Sequence, residues 1–352
     1  MARQKDPADK GSKITLDDVA KLAEASPITV SRALRNPGLV AEATRQRILR
    51  VIEETGYIPD MAASTLASNH SRIVAVVIPL ATNPSNAEVF QGLADRLEGE
   101  GLTLLLGTSR SEASKEEALV QAVIGWRPAA LALTGLEHST LTRKLLSRAD
   151  FPVIELSDTA GTPIDMAVGF SNAEAMRALT DHVWAKGYRS VHYIHIDHPQ
   201  NARFQRRREG FLTAMKERGV ESAVVHTAAD VTFAAGAEAG RQILAAGYRP
   251  NAVLCTNDII AVGAMFEFIR AGVAVPEDIA IAGFENIALG SAVSPSLTSV
   301  HIDWYGIGRL SGENIVLRLA GKEPPRILDT GFEIVDREST PIRGKEANSG
   351  HR

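Results

Sequence analysis

The chain has 352 residues, 45% hydrophobic and 23% charged, with a net charge of −4. That balance suits a folded, water-soluble protein with room for a small domain and a larger two-lobed one, and it argues against bulk nucleic-acid binding by the whole surface. The single cysteine, Cys255, excludes an internal disulfide framework; no apolar run is long enough for a membrane span, and MARQKDPADKGSK lacks the apolar centre of a secretory signal.

Residues 1–13 are polar and are expected to form a disordered arm. From Thr15 to Arg35 the sequence TLDDVAKLAEASPITVSRALR predicts two short helices with a tight turn between them. Thr15 followed by Asp18 gives a capping-box start, in which the hydroxyl accepts an N–H that the first turn leaves free. Leu16, Val19, Ala20 and Ala23 then share one helical face. Ser26 caps the second helix and Pro27 takes its first position, where a missing N–H costs nothing. Val30, Ala33 and Leu34 supply its buried face, leaving Pro27, Ile28, Thr29, Ser31, Arg32 and Arg35 to face outward. A short, polar, Arg-bearing helix braced by another fits a DNA major groove. Residues 1–72 hold 11 Lys and Arg against 9 Asp and Glu, a mild positive bias within an acidic chain. A third helix is predicted over 41–55, with Ile48, Val51 and Ile52 closing a three-helix core and Gly56 ending it. Residues 59–67 are helix-compatible, but so short a helix is marginal alone in water.

The pattern T-x-x-D-V-A-x-x-A-x-x-S-x-x-T-V-S-R-x-L resembles the N-terminal helix-turn-helix of the lactose/galactose repressor family. Asn36-Pro37, Thr44-Arg45 and the hinge-like run GYIPDMAASTLA from Gly56 to Ala67 follow it in the family's order. The chain departs from the family at Glu24, where a turn glycine is usual, at Ala41 in place of a Ser or Thr cap, and at Asp60 and Ser64 in the hinge. The resemblance implies that Pro27, Ile28 and Arg32 approach base edges and that Thr15, Ser26, Thr29, Ser31 and Thr44 hold phosphates. Leu16, Asp17 and Arg35 join that DNA-facing set. It also implies that Leu66 wedges into the minor groove when two subunits meet on an operator; the alternative for Leu66 is a linker residue packed on the body.

From Arg72 onward the texture changes. RIVAVVIPL, GLTLLLGTS, PAALALTG and FPVIELSD are strand-like apolar runs separated by helices over 87–98, near 115–124, and before residue 151. After MAVGFSN a second round begins: helix 173–186, strand SVHYIHI, helix 209–218, strand VVHTAA, helix 237–246, strand AVLCTND, helix 260–271 and strand IAIAGFEN. Apolar strands alternating with helices imply parallel sheets covered on both faces, and two rounds imply two lobes with a ligand cleft at the strands' carboxyl ends. The expected fold is therefore an all-α helix-turn-helix headpiece plus an α/β body, two-lobed and similar to periplasmic sugar-binding proteins. The expected domains are an arm at 1–13, a helix-turn-helix at 14–58, a hinge at 59–71, an effector-binding and dimerisation body at 72–345 and a polar tail at 346–352. Within the body the N-lobe takes about 72–169 and 302–328, and the C-lobe about 170–300 and 329–345.

Strand ends and family positions nominate the effector-binding residues Leu80, Thr82, Glu155, Asp158, Arg203, Arg207, Asn257, Asp258, Glu285 and Trp304. A sugar acid needs hydrogen-bonding partners, an apolar plate and a cation. By position Arg207 matches the family arginine that reaches the effector, while Arg206 and Arg208 are expected on a solvated helix face. Glu285 stands for a more common Asp, and Trp304 is either the plate or a core tryptophan. Glu155, GFSN, CTND, AVGAMFEF and IAGF together resemble the gluconate-utilisation repressors, which implies gluconate, a related sugar acid or its phosphate as effector. His192 and His195 are an odd number apart, so on a strand they face opposite sides, which argues against a metal site. His195 and His198, near a strand end, are expected as hydrogen-bonding cleft residues or loop. No G-x-S-x-G, P-loop or dinucleotide fingerprint is present, so no enzyme, cofactor or metal is expected. The expected protein is a dimeric, cytoplasmic, operator-binding repressor, bacterial and nucleoid-associated when on DNA, that a sugar-like effector releases. The tail RGKEANSGHR lacks the leucine heptads that would favour a tetramer. A corepressor-dependent regulator of the same family and a cytosolic sugar-binding protein are the alternatives.

Overall fold

A computed structural model describes residues 14–35, 37–58, 71–198, 201–247 and 249–343. The arm, the hinge residues 59–70 with Leu66, the side chain of Arg35 and the polar tail lie outside the described residues. The chain divides into two compact units, Met1–Ser71 and Arg72–Arg352.

In the first unit, helices α1 (Leu16–Leu22), α2 (Pro27–Arg35) and α3 (Glu42–Thr55) close around Val19, Ala23, Val30, Ala33, Ile48 and Val51. The capping box forms: Asp18 N–H donates to Thr15 Oγ1 at 3.3 Å, and Thr15 N–H donates to Asp18 Oδ2 at 3.0 Å. Ser26 Oγ accepts from Thr29 N–H at 3.1 Å, capping α2 with Pro27 at its first position. Ala41, lacking a hydroxyl, gives α3 no side-chain cap, and Gly56 ends that helix at φ 63°.

Glu24 occupies the inter-helix turn at φ 46°, the left-handed region that glycine tolerates and side chains disfavour. Arg47 of α3 compensates, its guanidinium donating to Ala23 O at 2.6 Å and Glu24 O at 3.4 Å. Replacing Glu24 with Gly is expected to stabilise the headpiece by about 1 kcal/mol, because the steric penalty at positive φ exceeds the added unfolded-state entropy. Thermal unfolding of Glu24→Gly checks this; a lower midpoint would mean that the turn carries no strain.

The second unit contains two sheets. Strands β1 (Ile73–Ile78), β2 (Thr103–Thr108), β3 (Ala130–Thr134), β4 (Val153–Leu156), β5 (Met166–Gly169) and β11 (Ile327–Asp329) lie in the order β11-β5-β4-β3-β1-β2, all parallel. Strands β6 (Val191–Ile196), β7 (Val225–Ala228), β8 (Ala252–Cys255), β9 (Ala280–Glu285), β10 (Thr298–His301) and β12 (Glu333–Val335) lie in the order β12-β10-β9-β8-β6-β7. All pairs in this second sheet are parallel except β12 against β10, an antiparallel edge that departs from the wholly parallel expectation. Its cause is local. Residues 330–332 carry the chain straight from β11 of the first sheet to β12 of the second, without the helical crossover that a parallel partner requires.

Connecting the strands are helices α4 (Pro84–Glu98), α5 (Ala113–Gly125), α6 (Thr140–Leu146), α7 (Asn172–Ala185), α8 (Ala202–Lys216), α9 (Phe233–Ala245), α10 (Asp258–Arg270), α11 (Ala288–Ala292) and α12 (Trp304–Leu319). Helix α8 starts seven residues earlier than the sequence suggests, because Asn201 caps it by accepting from Phe204 N–H. That earlier start sets Arg203, Arg206 and Arg207 on an ordered helix. Helices α4 and α12 meet backbone to backbone: a Cβ added at Gly308 would lie 2.0 Å from Val89 O, so only glycine permits this approach.

Candidate functional site

The outward face of α2 presents Pro27, Ile28 and Arg32 exposed, with Thr29 and Ser31 partly so. Ile28 is 65% exposed although it is a large apolar residue. Thr15 and Asp17 are exposed, and Leu16 and Thr44 are half-buried near the helix starts. The polar caps therefore serve the fold first: the Thr15 and Ser26 hydroxyls already accept backbone N–H groups, and Ser26 Oγ lies 2.8 Å from Thr29 Oγ1.

In the body, a cavity of 340 Å³ opens at the carboxyl ends of β1, β6 and β9. Leu80 and Glu285 line it, as the strand-end argument expected, with Arg203 and Trp304 and also Asn83, Ser85, Asn86, Arg110, Asn201 and Asp230. A narrower chamber of 60 Å³ adjoins it through Pro79, Ser111, Asn201 and Arg203, and reaches Glu116 and His138.

The Arg-rich start of α8 separates into three environments. Arg207 is wholly buried: its Nε donates to Asn172 Oδ1 at 2.9 Å, and its Nη1 donates to Thr256 O at 2.8 Å and reaches Glu285 Oε1 at 3.3 Å. Its guanidinium lies 3.8 Å over the Phe284 ring, and Nη2 is buried without a hydrogen-bond partner among the described residues. Arg206 corrects the solvated-face expectation. It is paired with Asp158 and Glu137, both on the segments following first-sheet strands, so it joins the lobes; Arg208 is half-buried beside His195. The expectation failed because the approach of the first lobe to this helix is absent from local sequence. Arg203 makes no hydrogen bond or ion pair among the described residues; burial, then the neighbouring Arg207 charge, push its pKa down to about 10. Arg203 keeps part of its surface at the cavity, and a half-buried guanidinium without a partner is an invitation to an anion.

Glu285 ends β9 at φ 104° and is 4% exposed. Its Oε2 accepts from Ser85 Oγ at 3.1 Å and lies 3.5 Å from Asn83 Nδ2, at the start of α4 in the other lobe. Trp304 is 4% exposed and packs into the core while it also contributes to the cavity lining. Its ring packs edge-on against Phe170 at 5.6 Å and its Nε1 donates to Glu285 O at 3.0 Å, while one side still lines the cavity.

Several nominated residues stand behind the cavity rather than on its wall. Asn257 accepts from Ile260 N–H at 3.0 Å, capping α10. Asp258 is enclosed and accepts from Ile287 N–H at 2.8 Å and Ser299 Oγ at 2.7 Å, holding the Glu285–Ile287 loop; burial pushes its pKa up to about 7. Asp158 is engaged with Arg206 and Thr82 is exposed to solvent, and neither lines the cavity. Glu155 accepts from Ile164 N–H and sits 3.3 Å from His138 Nε2. Asn83, Ser85, Asn86 and Asn201 went unnominated; the polar run ATNPSN after β1 was the available signal.

His138 is enclosed between Glu116 at 2.8 Å and Glu155. Burial opposes its charge, but hydrogen bonds and attraction from the two carboxylates outweigh it and raise the pKa to about 9. The folded protein thus keeps a proton that the unfolded chain releases near 6.5. The stabilisation is complete below 6.5 and is lost as pH rises through about 9. Urea unfolding of wild type is expected to lose about 3 kcal/mol over that window, and His138→Gln to lose much less. Equal slopes would show that the histidine is neutral in the fold.

Comparison with known proteins follows this division. Residues 15–60 match the bacterial regulatory proteins, lacI family, and residues 180–340 match the periplasmic binding protein-like domain. The chain is 34% identical over 330 residues to the HTH-type transcriptional regulator GntR of Escherichia coli K12, covering 92% of this chain and 98% of that protein. It is 35% identical to the HTH-type transcriptional regulator GntR of Pseudomonas aeruginosa, covering 93% and 95% of the two chains. A crystal structure of a LacI-family transcriptional regulator from Silicibacter pomeroyi superposes with a TM-score of 0.87 at 32% identity, covering 94% of this chain and 99% of that one.

Proposed function

The chain belongs to the lacI family of bacterial regulatory proteins, and from that premise we propose that it is a dimeric repressor of carbohydrate-utilisation genes, released from a palindromic operator by a sugar acid, gluconate or a near relative. The observation that carries the effector class is Arg203, a guanidinium at the cavity wall that makes no hydrogen bond or ion pair among the described residues, with buried Arg207 close enough to lower its pKa. A carboxylate at Arg203 would give that cation a partner, with Asn83, Asn86, Ser111 and Asn201 available to hydroxyls and Trp304 as the apolar wall. The resemblance to gluconate-utilisation repressors narrows the acid.

On DNA, Pro27, Ile28 and Arg32 meet base edges; Thr15, Ser26, Thr29, Ser31 and Thr44 meet phosphates, with Leu16, Asp17 and Arg35 in the same footprint and Leu66 as the central wedge. The exposure of Ile28 supports this, since a helix face built only for packing would cover it. Exposed Phe233, Phe266 and Leu289, flanked by Arg241 and Arg270, support pairing with a second copy. Effector binding shifts the operator affinity only through a difference in its affinity for two lobe arrangements.

The test is fluorescence anisotropy of a labelled palindrome from the gene's own upstream region, at fixed salt, with gluconate added after binding saturates. Release supports the proposal. Tightening by gluconate makes the protein corepressor-dependent, and indifference to gluconate discards that effector. Failure to bind any such site removes the operator assignment.

A further inference from the structure

The anion seat beside Arg207 is not vacant. Glu285 Oε1 stands 3.3 Å from Arg207 Nη1, and Oε2 reaches across the cleft to Ser85 Oγ and Asn83 at the start of α4. One carboxylate therefore spans a buried cation of one lobe and the N-terminal turn of a helix of the other, whose partial positive charge favours it. Its grip on each side is incomplete. The 3.3 Å contact is shared with Thr256 O, the buried Arg207 Nη2 has no hydrogen-bond partner among the described residues, and Arg203, on the cavity wall, makes none there either. A free carboxylate arriving at Arg203 on the cavity wall would compete with Glu285 for the neighbouring Arg207 charge, which already lowers the Arg203 pKa.

We propose that Glu285 is a tethered stand-in for the effector's acid group: it ties the lobes together in the ligand-free protein and gives up that tie when an anionic effector enters. The proposal rests on the anionic-effector assignment above and adds how the site is regulated. An incoming carboxylate repels the Glu285 carboxylate, which is buried and weakly screened by water, and competes for the same guanidinium. Glu285 then leaves Ser85 and Asn83, and the start of α4 is freed. The binding energy of the effector is thereby converted into a change in lobe contact, which supplies the differential affinity that a switch requires. A Glu serves here because the extra methylene, relative to Asp, lets it touch Arg207 and Ser85 at once. This role has a sign opposite to that of an acid which accepts a ligand hydroxyl: removing its charge should strengthen effector binding.

The test compares wild type, Ser85→Ala, Glu285→Gln and the double variant by urea unfolding without and with saturating gluconate, and by calorimetric titration with gluconate. Without gluconate the two substitutions are expected to be non-additive, and with gluconate additive. Glu285→Gln is expected to bind gluconate about tenfold more tightly, and Ser85→Ala in the same direction but less. Ser85→Ala preserves the Arg207 pair, so the test survives if Glu285→Gln folds poorly. Additivity in the ligand-free protein overturns the tie. Coupling that persists at saturating gluconate, or tenfold weaker binding by Glu285→Gln, overturns the displacement. If none of the four proteins binds gluconate while the coupling is present, the gluconate assignment falls and the tie is supported.

Discussion

Removal of residues 1–71 is expected to lower affinity for the palindromic site by at least about 10³-fold while leaving gluconate affinity unchanged. The division of the chain into two compact units is the basis. The three-helix core around Val19, Val30 and Ile48 belongs wholly to the first unit, whereas the cavity is built from Pro79 onward and its sheets have apolar cores of their own. Charge points the same way. The chain totals −4 and residues 1–71 carry +1, so the remainder carries −5 and would repel phosphates. Anisotropy with the truncated protein measures the first half and calorimetry the second. Retained operator binding would move the DNA-reading surface out of the helix pair; lost gluconate binding would mean that the body needs the headpiece to hold its shape.

The second large effect separates two arginines four residues apart. Arg207→Ala is expected to destabilise the body by about 3–5 kcal/mol, because it leaves the buried Glu285 carboxylate without its cation and opens space beside Phe284. The side chain also satisfies Asn172 Oδ1 and Thr256 O, which would lose their donor in a place water does not readily reach. Arg203→Ala should change stability by no more than about 0.5 kcal/mol, since Arg203 has no partner to abandon among the described residues. Its cost falls on the ligand: gluconate affinity should drop about 10²-fold, the usual scale for truncating one side of a largely desolvated charge pair. Denaturant unfolding and calorimetry on both variants give the four values needed. Undiminished gluconate binding by Arg203→Ala would place the carboxylate elsewhere, and a stable Arg207→Ala would mean that Glu285 is compensated by another group.

The headpiece was legible in the sequence because the forces that set it act over three or four residues. Thr15 with Asp18 and Ser26 with Thr29 are bonds between neighbours on one turn, and the Val19–Ala20–Ala23 face follows from helix period alone. The alternation of apolar strand and helix from β1 to β9 was equally local, and it placed the cavity at the strand ends through Leu80 and Glu285. Strands β10, β11 and β12, at three or four residues each, were too short for a periodic signal and exist through the partners they pair with. The antiparallel pairing of β12 was likewise fixed by where β11 ends, and the helix Trp304–Leu319 by its backbone contact with α4.

Within the site, the sequence supplied the chemistry and the tertiary structure supplied the assignment. Four arginines, at 203, 206, 207 and 208, offered cations to a cleft, but adjacent residues on a helix point about 100° apart, and what each one meets depends on a second lobe remote in sequence. Folding gave Arg206 to Asp158 and Glu137, gave Arg207 to Glu285 and left Arg203 open. Asp258 was drawn away from the cavity by Ile287 and Ser299 in the same way. Residue type and local spacing fix which interactions are available; desolvation and long-range packing decide which of them are made.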